Sequence, residues 1–307
     1  MPTSVISIDD GRRDVTVSDL LGNPETIPTR VLDRVRDQFI AETLLYNGGT
    51  SNKLEFSFEQ NSQSFVDGDP EVIAEFAEFP TVSETTGKKV VGRATKIGFR
   101  LEISREMRDY NELERVNKRV DKAVNTLIRF NDKQLWDALA KAPIPEIAAS
   151  VAWDQSGADQ RYDIARAMEK VGTGSAEAID DLVDPFFADT IVMNKAVAPS
   201  FIASEKWNNV YTGNLADKSI RYTGVIESKP MGLDALMTRT LPRNKVLVLQ
   251  RGALGFFKDP RRLEATPMRG IDEQGGDTET FRSRISQIRF VGIEEPFSAC
   301  WITGVMS

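Results

Sequence analysis

The feature that most constrains how this chain folds is the stretch 104–142, which contains neither glycine nor proline. Apolar residues recur through it at intervals of three or four, the period of a helix with one buried face. Ser104 occupies an N-cap position and Pro143 follows the last periodic residue, so the pattern predicts one continuous helix over 104–142. At about 1.5 Å per residue it is about 57 Å long, and it is predicted to pack on a sheet rather than in a coiled coil. The predicted stripe comprises Ile103, Met107, Tyr110, Leu113, Val116, Val120, Val124, Leu127, Phe130, Leu135 and Ala138.

The part of the chain before this helix predicts an arm, a short helix and a flap. Residues 1–29 contain three prolines and two glycines without a sustained period, which predicts an extended arm. A short amphipathic helix is predicted over 30–46, ending at the glycines of Asn47-Gly48-Gly49. Two alternating stretches, 54–59 and 97–103, predict strands separated by a long polar excursion, and together they predict a two-stranded flap.

Charge is divided between the two halves of this flap. Residues 54–87 include acids but no lysine or arginine, whereas residues 88–108 are rich in both. Two interpretations stay open: a solvated hairpin with cross-strand ion pairs, or a flap that lies across a neighbouring molecule and uses the charges for register. A two-stranded flap is only marginally stable alone, which favours a supporting surface. The predicted contact residues here are Glu55, Glu59, Lys88, Lys89, Arg93, Lys96 and Arg100.

After Pro143 the patterns predict an α/β domain. Helices are predicted over 159–171 and 199–207, and an irregular glycine-rich loop over 268–278. The predicted strands are 186–193, 224–229, 245–250, 281–290 and 299–305.

The composition argues against the common kinds of active site. The chain has no histidine, which removes the usual general base and the usual metal ligand. The chain has a single cysteine, Cys300, so it cannot form an intrachain disulfide. Cys300 is predicted to be a small buried apolar residue. The net charge is −7, so the chain does not have the excess of Lys and Arg with which general nucleic-acid-binding proteins neutralise phosphates. We therefore predict no catalytic residue, no cofactor, no metal and no membrane segment.

The order of arm, helix, charged flap, long helix and α/β domain resembles the major capsid proteins of tailed bacteriophages, which have the Hong Kong 97 fold. The resemblance extends over most of the chain, and its local pieces are specific only in their order and spacing. These pieces are the strand entering the long helix (Ile97 to Glu106), Ile191 to Asn194, Gly232 to Leu236 followed by Thr240 to Pro242, Leu247 to Gly252, and Phe281 to Pro296.

The resemblance implies an α+β fold with named parts. It implies a peripheral P-domain built on the long "spine" helix, an axial A-domain of α/β type and an E-loop hairpin. The implied boundaries are 1–29 for the N-arm, 30–47 for the short helix, 48–100 for the E-loop, 101–145 for the spine helix, 146–254 for the A-domain, 255–295 for the P-domain strands and P-loop, and 296–307 for the C-terminal strand.

The resemblance also implies partners. Copies of the chain are expected to form hexamers and pentamers that close into an icosahedral shell, enclosing double-stranded DNA without sequence-specific contacts. The resemblance implies a portal and either a separate scaffolding protein or none, and it leaves open whether a cement protein is used. It also implies synthesis in the host cytoplasm and a final place in the virion. Arg269, Asp272 and Glu273, in the loop that matches the P-loop, are expected to meet symmetry-related copies.

Two alternatives remain open on the sequence. An encapsulin-type compartment has the same fold but encloses cargo enzymes. A carboxylate-based hydrolase would draw its acids from Glu264, Asp272, Asp277 or Glu294.

Overall fold

The computed structural model describes residues 16–36, 38–60, 72–73, 78–83, 87–173, 186–204 and 230–307. The helices are α1 (Val17–Gly22), α2 (Thr26–Val35), α3 (Ile40–Leu44), α4 (Arg105–Asp109), α5 (Leu113–Lys141), α6 (Gln160–Thr173) and α7 (Ala198–Ala203). The strands are β1 (Tyr46–Asn47), β2 (Glu55–Gln60), β3 (Lys88–Arg93), β4 (Thr95–Ser104), β5 (Glu146–Ala148), β6 (Thr190–Asn194), β7 (Asp234–Thr238), β8 (Lys245–Leu249), β9 (Gly255–Ala265), β10 (Thr280–Ile293) and β11 (Ala299–Thr303). In the part of the chain described, no helix combines the length and apolar character needed to cross a bilayer.

Two larger sheets and a two-stranded sheet make up the strand architecture. The four-stranded sheet has the order β1-β9-β10-β4, and the five-stranded sheet has the order β5-β11-β8-β6-β7. In the two-stranded sheet β2 pairs with β3. The five-stranded sheet is mixed, with β6 parallel to β7 but antiparallel to β8. Helix and sheet are therefore combined as the predicted α+β class requires.

Helix α5 connects the two larger sheets. Its first half buries Val116, Val120 and Leu127 in a core shared with strands β4 and β10 and helices α1 and α2. Its second half buries Leu135 and Leu139 in another core shared with β6, β8 and β11. The predicted packing of the long helix on sheet is confirmed, and the helix continues from one sheet to the next.

The prediction of one helix over 104–142 is wrong at its N-terminal end. The chain forms α4, breaks at Asn111, whose φ is 50°, and resumes as α5. Asparagine tolerates this left-handed conformation better than most residues. Its side-chain Oδ1 also accepts a 2.8 Å hydrogen bond from the backbone N–H of Val17, which fixes the break against α1. At about 1.5 Å per residue α5 is about 44 Å long, rather than about 57 Å.

The predicted apolar stripe is also wrong at two positions. Tyr110 is 78% exposed at the break, and Phe130 is 47% exposed. The buried face of α5 instead passes through the polar pair Asn131 and Asp132, each 2% exposed. Apolar periodicity alone assigned Phe130 to the core, because the two polar residues beside it looked like solvent-facing positions.

We expect Val120→Pro to destabilise the protein by about 3 kcal/mol or more, because proline removes a backbone hydrogen bond and clashes with the preceding turn. Val120 lies in the middle of the apolar stripe and is 3% exposed. Urea denaturation measures the loss, and electron microscopy of the purified variant should find no closed particles. Normal particles from this variant would contradict the role assigned to α5.

Asp132 joins α5 to both neighbouring layers. Its Oδ2 accepts a 2.9 Å hydrogen bond from the Thr240 hydroxyl, and its Oδ1 lies 3.5 Å from the backbone N–H of Ile40. Trp136, one turn later, donates to the same Thr240 hydroxyl at 3.0 Å. Burial raises the pKa of Asp132, and the two hydrogen bonds it accepts oppose that rise only in part.

This raised pKa predicts a pH dependence for Asp132→Asn. Above about pH 4 the unfolded chain releases the Asp132 proton readily, whereas the folded chain resists doing so. Protonated Asp132 therefore contributes to the free energy of unfolding at low pH, and the wild-type protein loses that contribution as the pH rises from about 4 through the raised pKa. Asparagine does not titrate, so the free energy of unfolding of Asp132→Asn relative to wild type should rise between pH 4 and pH 7, by about 1.4 kcal/mol per unit of pKa elevation. Urea titrations at both values, with exposed Asp137→Asn as control, test this; a constant difference would contradict it.

The N-terminal predictions need correction where the structure describes them. Residues 17–29 are not extended: Thr16 and Asp19 form a capping box that starts α1. Pro28 lies in the first turn of α2, where a missing N–H costs no helical hydrogen bond. Residues 1–15 lie outside the described ranges.

The helix predicted over 30–46 is two helices, because α2 ends at Val35 and α3 begins at Ile40. The backbone of Phe39 is extended, which directs its ring inward to 5% exposure under the guanidinium of Arg289. The chain then forms β1, parallel to β9, before the predicted stop at the two glycines.

The flap pairs differently from the prediction. Strand β2 pairs with β3, whereas β4 pairs along its whole length with β10. The chain turns at Ala94, whose N–H donates to the carbonyl of Leu54 at 2.7 Å. Because Leu101 and Ile103 are buried in the core that α1 and α5 share, and Ile97 is also buried, the alternation predicted for 97–103 is that of a core strand rather than of a flap.

In the second half of the chain, the predictions for 159–171, 245–250, 281–290 and 299–305 are confirmed as α6, β8, β10 and β11. The strand predicted over 186–193 begins later, at Thr190. The helix predicted over 199–207 is described only as α7, and the strand predicted over 224–229 lies outside the described residues.

Strand β9 was missed because Pro260 lies inside it. Proline is tolerated there because the pairing of β9 with β10 shifts register around that residue, between Ile288 and Phe290 of β10. Strand β7 was missed because Asp234–Thr238 has no clear alternation, and its parallel partner β6 defines it.

Candidate functional site

The flap formed by β2 and β3 is attached to the body of the protein by four aromatic rings and one glycine. The Phe56 and Phe290 rings stack at 5.0 Å between centroids, and the Phe58 ring meets Phe256 edge-on at 5.5 Å. A Cβ on Gly92 would lie 2.4 Å from the Phe290 ring, so only glycine permits this approach. Aromatic pairs of this kind contribute about 0.5–1.5 kcal/mol each beyond the area they bury, which gives the flap one firm attachment.

The register of the flap places its predicted contact residues opposite one another. Glu55 lies opposite Arg93 and Glu59 lies opposite Lys89, while Lys88 faces Gln60. Directly opposed charges attract across a strand pair, so this register favours the interpretation of a hairpin with cross-strand pairs. Within the described residues, however, neither opposed pair reaches 4 Å. A role for these side chains toward another copy stays a prediction.

The other two predicted flap residues lie on the four-stranded sheet. Lys96 and Arg100 are on β4, opposite Ile288 and Arg284 of β10, on the face away from α5. Only Glu102, 3.7 Å from the guanidinium of Arg100, balances charge nearby on β4. The structure thus separates these two cations from the flap and places them on a basic sheet face.

The loop over 268–278 is braced from α4. Arg105 contacts Gln274 at 3.2 Å and Glu279 at 3.0 Å, and Arg108 donates to the backbone oxygen of Glu273 at 3.0 Å. Asp272 accepts from the backbone N–H groups of residues 274 and 276, both at 2.8 Å, and these bonds lower its pKa. The loop is therefore held from inside while Ile271, 80% exposed, stands at its surface.

The predicted residues of this loop lie on one element but apart from the flap. Arg269 forms an isolated antiparallel bridge with Arg282 of β10, and Asp272 and Glu273 follow in the turn. Among the residues that the structure describes, no three side chains of the metal-binding types gather into a possible metal site.

The four acids of the hydrolase alternative do not converge. Glu264 lies beside Arg261 at 3.6 Å, and Asp272 and Asp277 lie in the loop before β10. Glu294 follows the other end of β10 and accepts a 2.7 Å hydrogen bond from the Tyr46 hydroxyl. At about 3.4 Å per residue the length of β10 separates Asp277 from Glu294 by about 45 Å, which excludes one shared site.

The Cys300 thiol and the Tyr46 hydroxyl are poorly suited to act as nucleophiles. Cys300 is fully buried in the five-stranded sheet, and burial raises the pKa of its thiol to about 11. Burial and the hydrogen bond to Glu294 raise the pKa of Tyr46 to about 12. Neither group supplies a nucleophile near neutral pH.

A buried cation that the sequence reasoning missed lies beneath the flap. The Arg289 side chain is 2% exposed and makes two hydrogen bonds with Asp259, at 2.7 and 2.8 Å, and one with Glu42 at 2.6 Å. Its guanidinium also lies 5.0 Å from the centre of the Phe39 ring and 4.9 Å from that of Phe257. Burial lowers the pKa of Arg289, but both carboxylates raise it, and the net pKa is above the usual value. The alternation of β10 was the available signal, since Arg289 has the parity of the buried Ile285.

We expect Arg289→Leu to destabilise the protein by about 3 kcal/mol, because it leaves the largely buried Asp259 and the half-buried Glu42 without their cation. Urea denaturation of the variant and wild type measures the difference. Arg284→Leu, an exposed position on the same strand, is the matched control and should change stability by about 0.5 kcal/mol or less. Equal losses of stability for the two variants would show that the buried ion pairs of Arg289 do not stabilise the fold.

Comparison with known proteins supplies independent information. The family described as phage capsid protein matches residues 87–294, from the start of β3 to the end of β10. No curated protein matches the sequence.

Solved structures resemble the fold over most of its length. The capsid structure of cyanophage P-SCSP1u is 12% identical, with a TM-score of 0.61, and the match covers 88% of this chain and 89% of that one. A structure from Mycobacterium phage Che8 is 14% identical, with a TM-score of 0.55 and coverages of 83% and 86%. The virus-like particle from Pyrococcus furiosus is 12% identical, with a TM-score of 0.57 and coverages of 91% and 98%. At these identities the likeness shows the fold alone.

Proposed function

This chain belongs to the phage capsid protein family, and we propose that its copies assemble through hexamers and pentamers into an icosahedral shell around double-stranded DNA. The family match over 87–294, more than half of the chain, is the observation that carries the proposal. The family is one of structural proteins, and the chain is a shell subunit with the Hong Kong 97 fold.

The flap supports a role in joining subunits. It leaves the body at Leu54 and returns at Ala94, and its base, β2 with β3, is attached to the body through the aromatic rings. The excursion between these strands includes six acids and no lysine or arginine over 61–86. An acidic excursion of this length and the basic sheet face that carries Lys96 and Arg100 are complementary in charge, which favours contact between copies.

The braced loop supports contacts of a second kind. Its charged residues Arg269, Asp272 and Glu273 and the exposed Ile271 lie on a segment that α4 holds in place. A rigid loop that exposes an apolar residue binds a partner with little ordering cost. We assign it to contacts between symmetry-related copies.

The net charge of −7 agrees with enclosed DNA that is not held by its sequence. A shell wall without excess cations lets DNA enter and leave without strong binding. Assembly in the host cytoplasm with a scaffolding protein, a portal and a cement protein, ending in the virion, completes the proposal.

Negative-stain electron microscopy of the purified protein tests this function. Closed shells of uniform size that are empty or contain nucleic acid are expected. Shells that enclose a co-purifying enzyme would favour the encapsulin-type compartment instead. A protein that remains a monomer or dimer under all conditions of salt and concentration would overturn the proposal.

Replacing Lys88, Lys89, Arg93 and Lys96 together by Gln should leave the monomer folded but weaken assembly. Exposed ion pairs contribute a few tenths to about 1 kcal/mol each, and a closed shell repeats them in every subunit. Salt should weaken the wild-type shell in the same direction, because ionic strength screens exposed charges over about 8–10 Å. Particle yield against salt concentration, measured by light scattering, checks both expectations.

A matched control removes the same charge elsewhere. Its substitutions to Gln are made at exposed positions away from the flap, namely Lys118, Arg129, Lys195 and Arg239. The control should assemble as wild type does, with the same salt slope. Equal yields and slopes for the quadruple variant and this control would mean that these four cations only face solvent.

A further inference from the structure

One row of side chains along α5 carries five cations and no acid. Successive positions in it are three or four residues apart, so the side chains lie along one line on the helix surface. At about 1.5 Å per residue the row is about 27 Å long. Five of its members are exposed, and the one at position 119 is half-buried. The members of this basic row are Arg115, Arg119, Lys122, Thr126, Arg129 and Lys133.

The neighbouring row of α5, on the side of α2, has balanced charges instead. Glu114 lies 3.7 Å from Lys118 within that row. Asp121 forms an ion pair with Arg34 of α2. The polar surface of α5 is therefore divided into a neutralised strip beside α2 and a cationic strip on the other side.

The cations of the basic row repel one another. Among the described residues, Arg115 is the one member with a carboxylate within 4 Å, that of Glu112 at 2.9 Å. Like charges one turn apart on a helix destabilise it, and this holds for Arg115 with Arg119 and for Arg129 with Lys133. A polyanion bound along the row would remove that repulsion.

A groove of about 400 Å³ lies beside the basic row, between α5 and the edge strand β4. Phe99 and Leu101 of β4 and Ala123 of α5 line it together with Arg119 and Lys122 of the row. Two of the cations therefore stand along a groove rather than on a smooth helix surface.

The outer edge of β4 adds backbone donors to this groove. Strand β4 is the last strand of the four-stranded sheet, so among the described strands it pairs on one side alone. Arg282 exchanges backbone hydrogen bonds with Arg269 on the far side of β10, so the odd-numbered residues of β10 and β4 bond to each other. The even-numbered residues of β4 face outward: the Glu102 carbonyl accepts from Arg119, and the N–H of Arg100 points to the open edge. Backbone N–H groups are common donors to phosphate oxygens.

Charge density decides which polyanion suits the basic row. A DNA duplex carries one negative charge per about 1.7 Å, so a length of about 27 Å presents about sixteen charges. The acidic excursion over 61–86 has six acids and carries Val72, Phe76 and Phe79 among them. Apolar side chains gain little on a row that has no apolar member. Nucleic acid therefore suits the row better than the excursion of another copy does.

The basic face on the other side of the four-stranded sheet is better neutralised. Glu102 lies 3.7 Å from Arg100 and 3.2 Å from Arg282, and Glu264 lies 3.6 Å from Arg261. Without the five cations of the basic row the net charge of the chain would be −12 rather than −7. The row is thus a local cationic surface on an acidic protein, which attracts DNA to one place and repels it elsewhere.

We propose that the basic row of α5 and the adjoining edge of β4 bind the phosphate backbone of the enclosed double-stranded DNA, which requires this face of the subunit to point into the shell. Its cations contact phosphates and the Arg100 N–H adds a neutral donor, so the contact does not depend on base sequence. This assignment rests on the proposed shell function and adds to it the surface that meets the DNA.

Fluorescence anisotropy with the full-length chain, kept unassembled at low concentration, tests the site. The probe is a labelled duplex of about 30 base pairs, which is longer than the row. The variant Lys122→Gln/Arg129→Gln/Lys133→Gln should bind it about tenfold more weakly, or less, near about 0.1 M salt. The slope of log affinity against log salt concentration should fall by about 2.7, because each lost phosphate contact removes about 0.9.

The matched control, Arg261→Gln/Arg262→Gln/Arg284→Gln, removes the same charge from exposed positions of β9 and β10. It should bind the duplex with the affinity and salt slope of the wild type. Equal losses for the two triple variants, or no binding by the wild type, would overturn this inference. A synthetic peptide of residues 61–86 that binds the wild type but not the row variant would assign the row to another copy and overturn the DNA assignment.

Closed wild-type shells, mixed with the same duplex, test the direction in which the row faces. They should not retain the duplex, because the row is then enclosed. Retention equal to that of the unassembled chain would place the row on the outer surface and overturn the inference. Electron microscopy of the wild type distinguishes this failure from that of the proposed function: a chain that binds the duplex but never forms shells would overturn the shell function and the inward orientation with it.

Discussion

The packing of α5 against two sheets is the interaction on which the rest of the structure depends. Its first half covers the β4–β10–β9 sheet, and its second half packs against strands β11, β8 and β6 of the five-stranded sheet. Rigid continuity through the helix fixes the position of one sheet relative to the other. Asp132 and Trp136 add a polar contact at the point where the two cores meet, both through Thr240. A shell subunit needs this rigidity, since small errors in its shape would prevent closure.

Where this support ends, the flap begins. Beyond Thr95 the sheet loses β4, and the flap lies at that boundary. Arg289 stands directly beneath it, with two carboxylates and two aromatic rings around its guanidinium. The flap is thus attached to the body over a buried, fully charged group that is held by its own carboxylates.

Much of the fold could be predicted because its elements have clear periods. The alternation at 281–290 identified β10, and the absence of glycine and proline identified the long helix. Errors arose where tertiary contacts overrule local pattern. The break at Asn111 is held by a hydrogen bond from Val17, almost a hundred residues away in sequence, and Pro260 is accommodated by a register shift against β10. The periodicity of residues within a segment cannot predict either contact, because each joins segments that are far apart in sequence.

The sequence by itself determined the class of the fold, the absence of histidine chemistry and the division of charge along the flap, because these follow from composition and from spacing within a segment. Only the tertiary structure decided that β2 pairs with β3 rather than with β4, that Lys96 and Arg100 lie apart from the flap, and that Arg289 is buried beneath the flap. These outcomes depend on which surfaces compete for the same strand edge. That competition is settled by burial and by pairing between distant segments, which no stretch of sequence contains by itself.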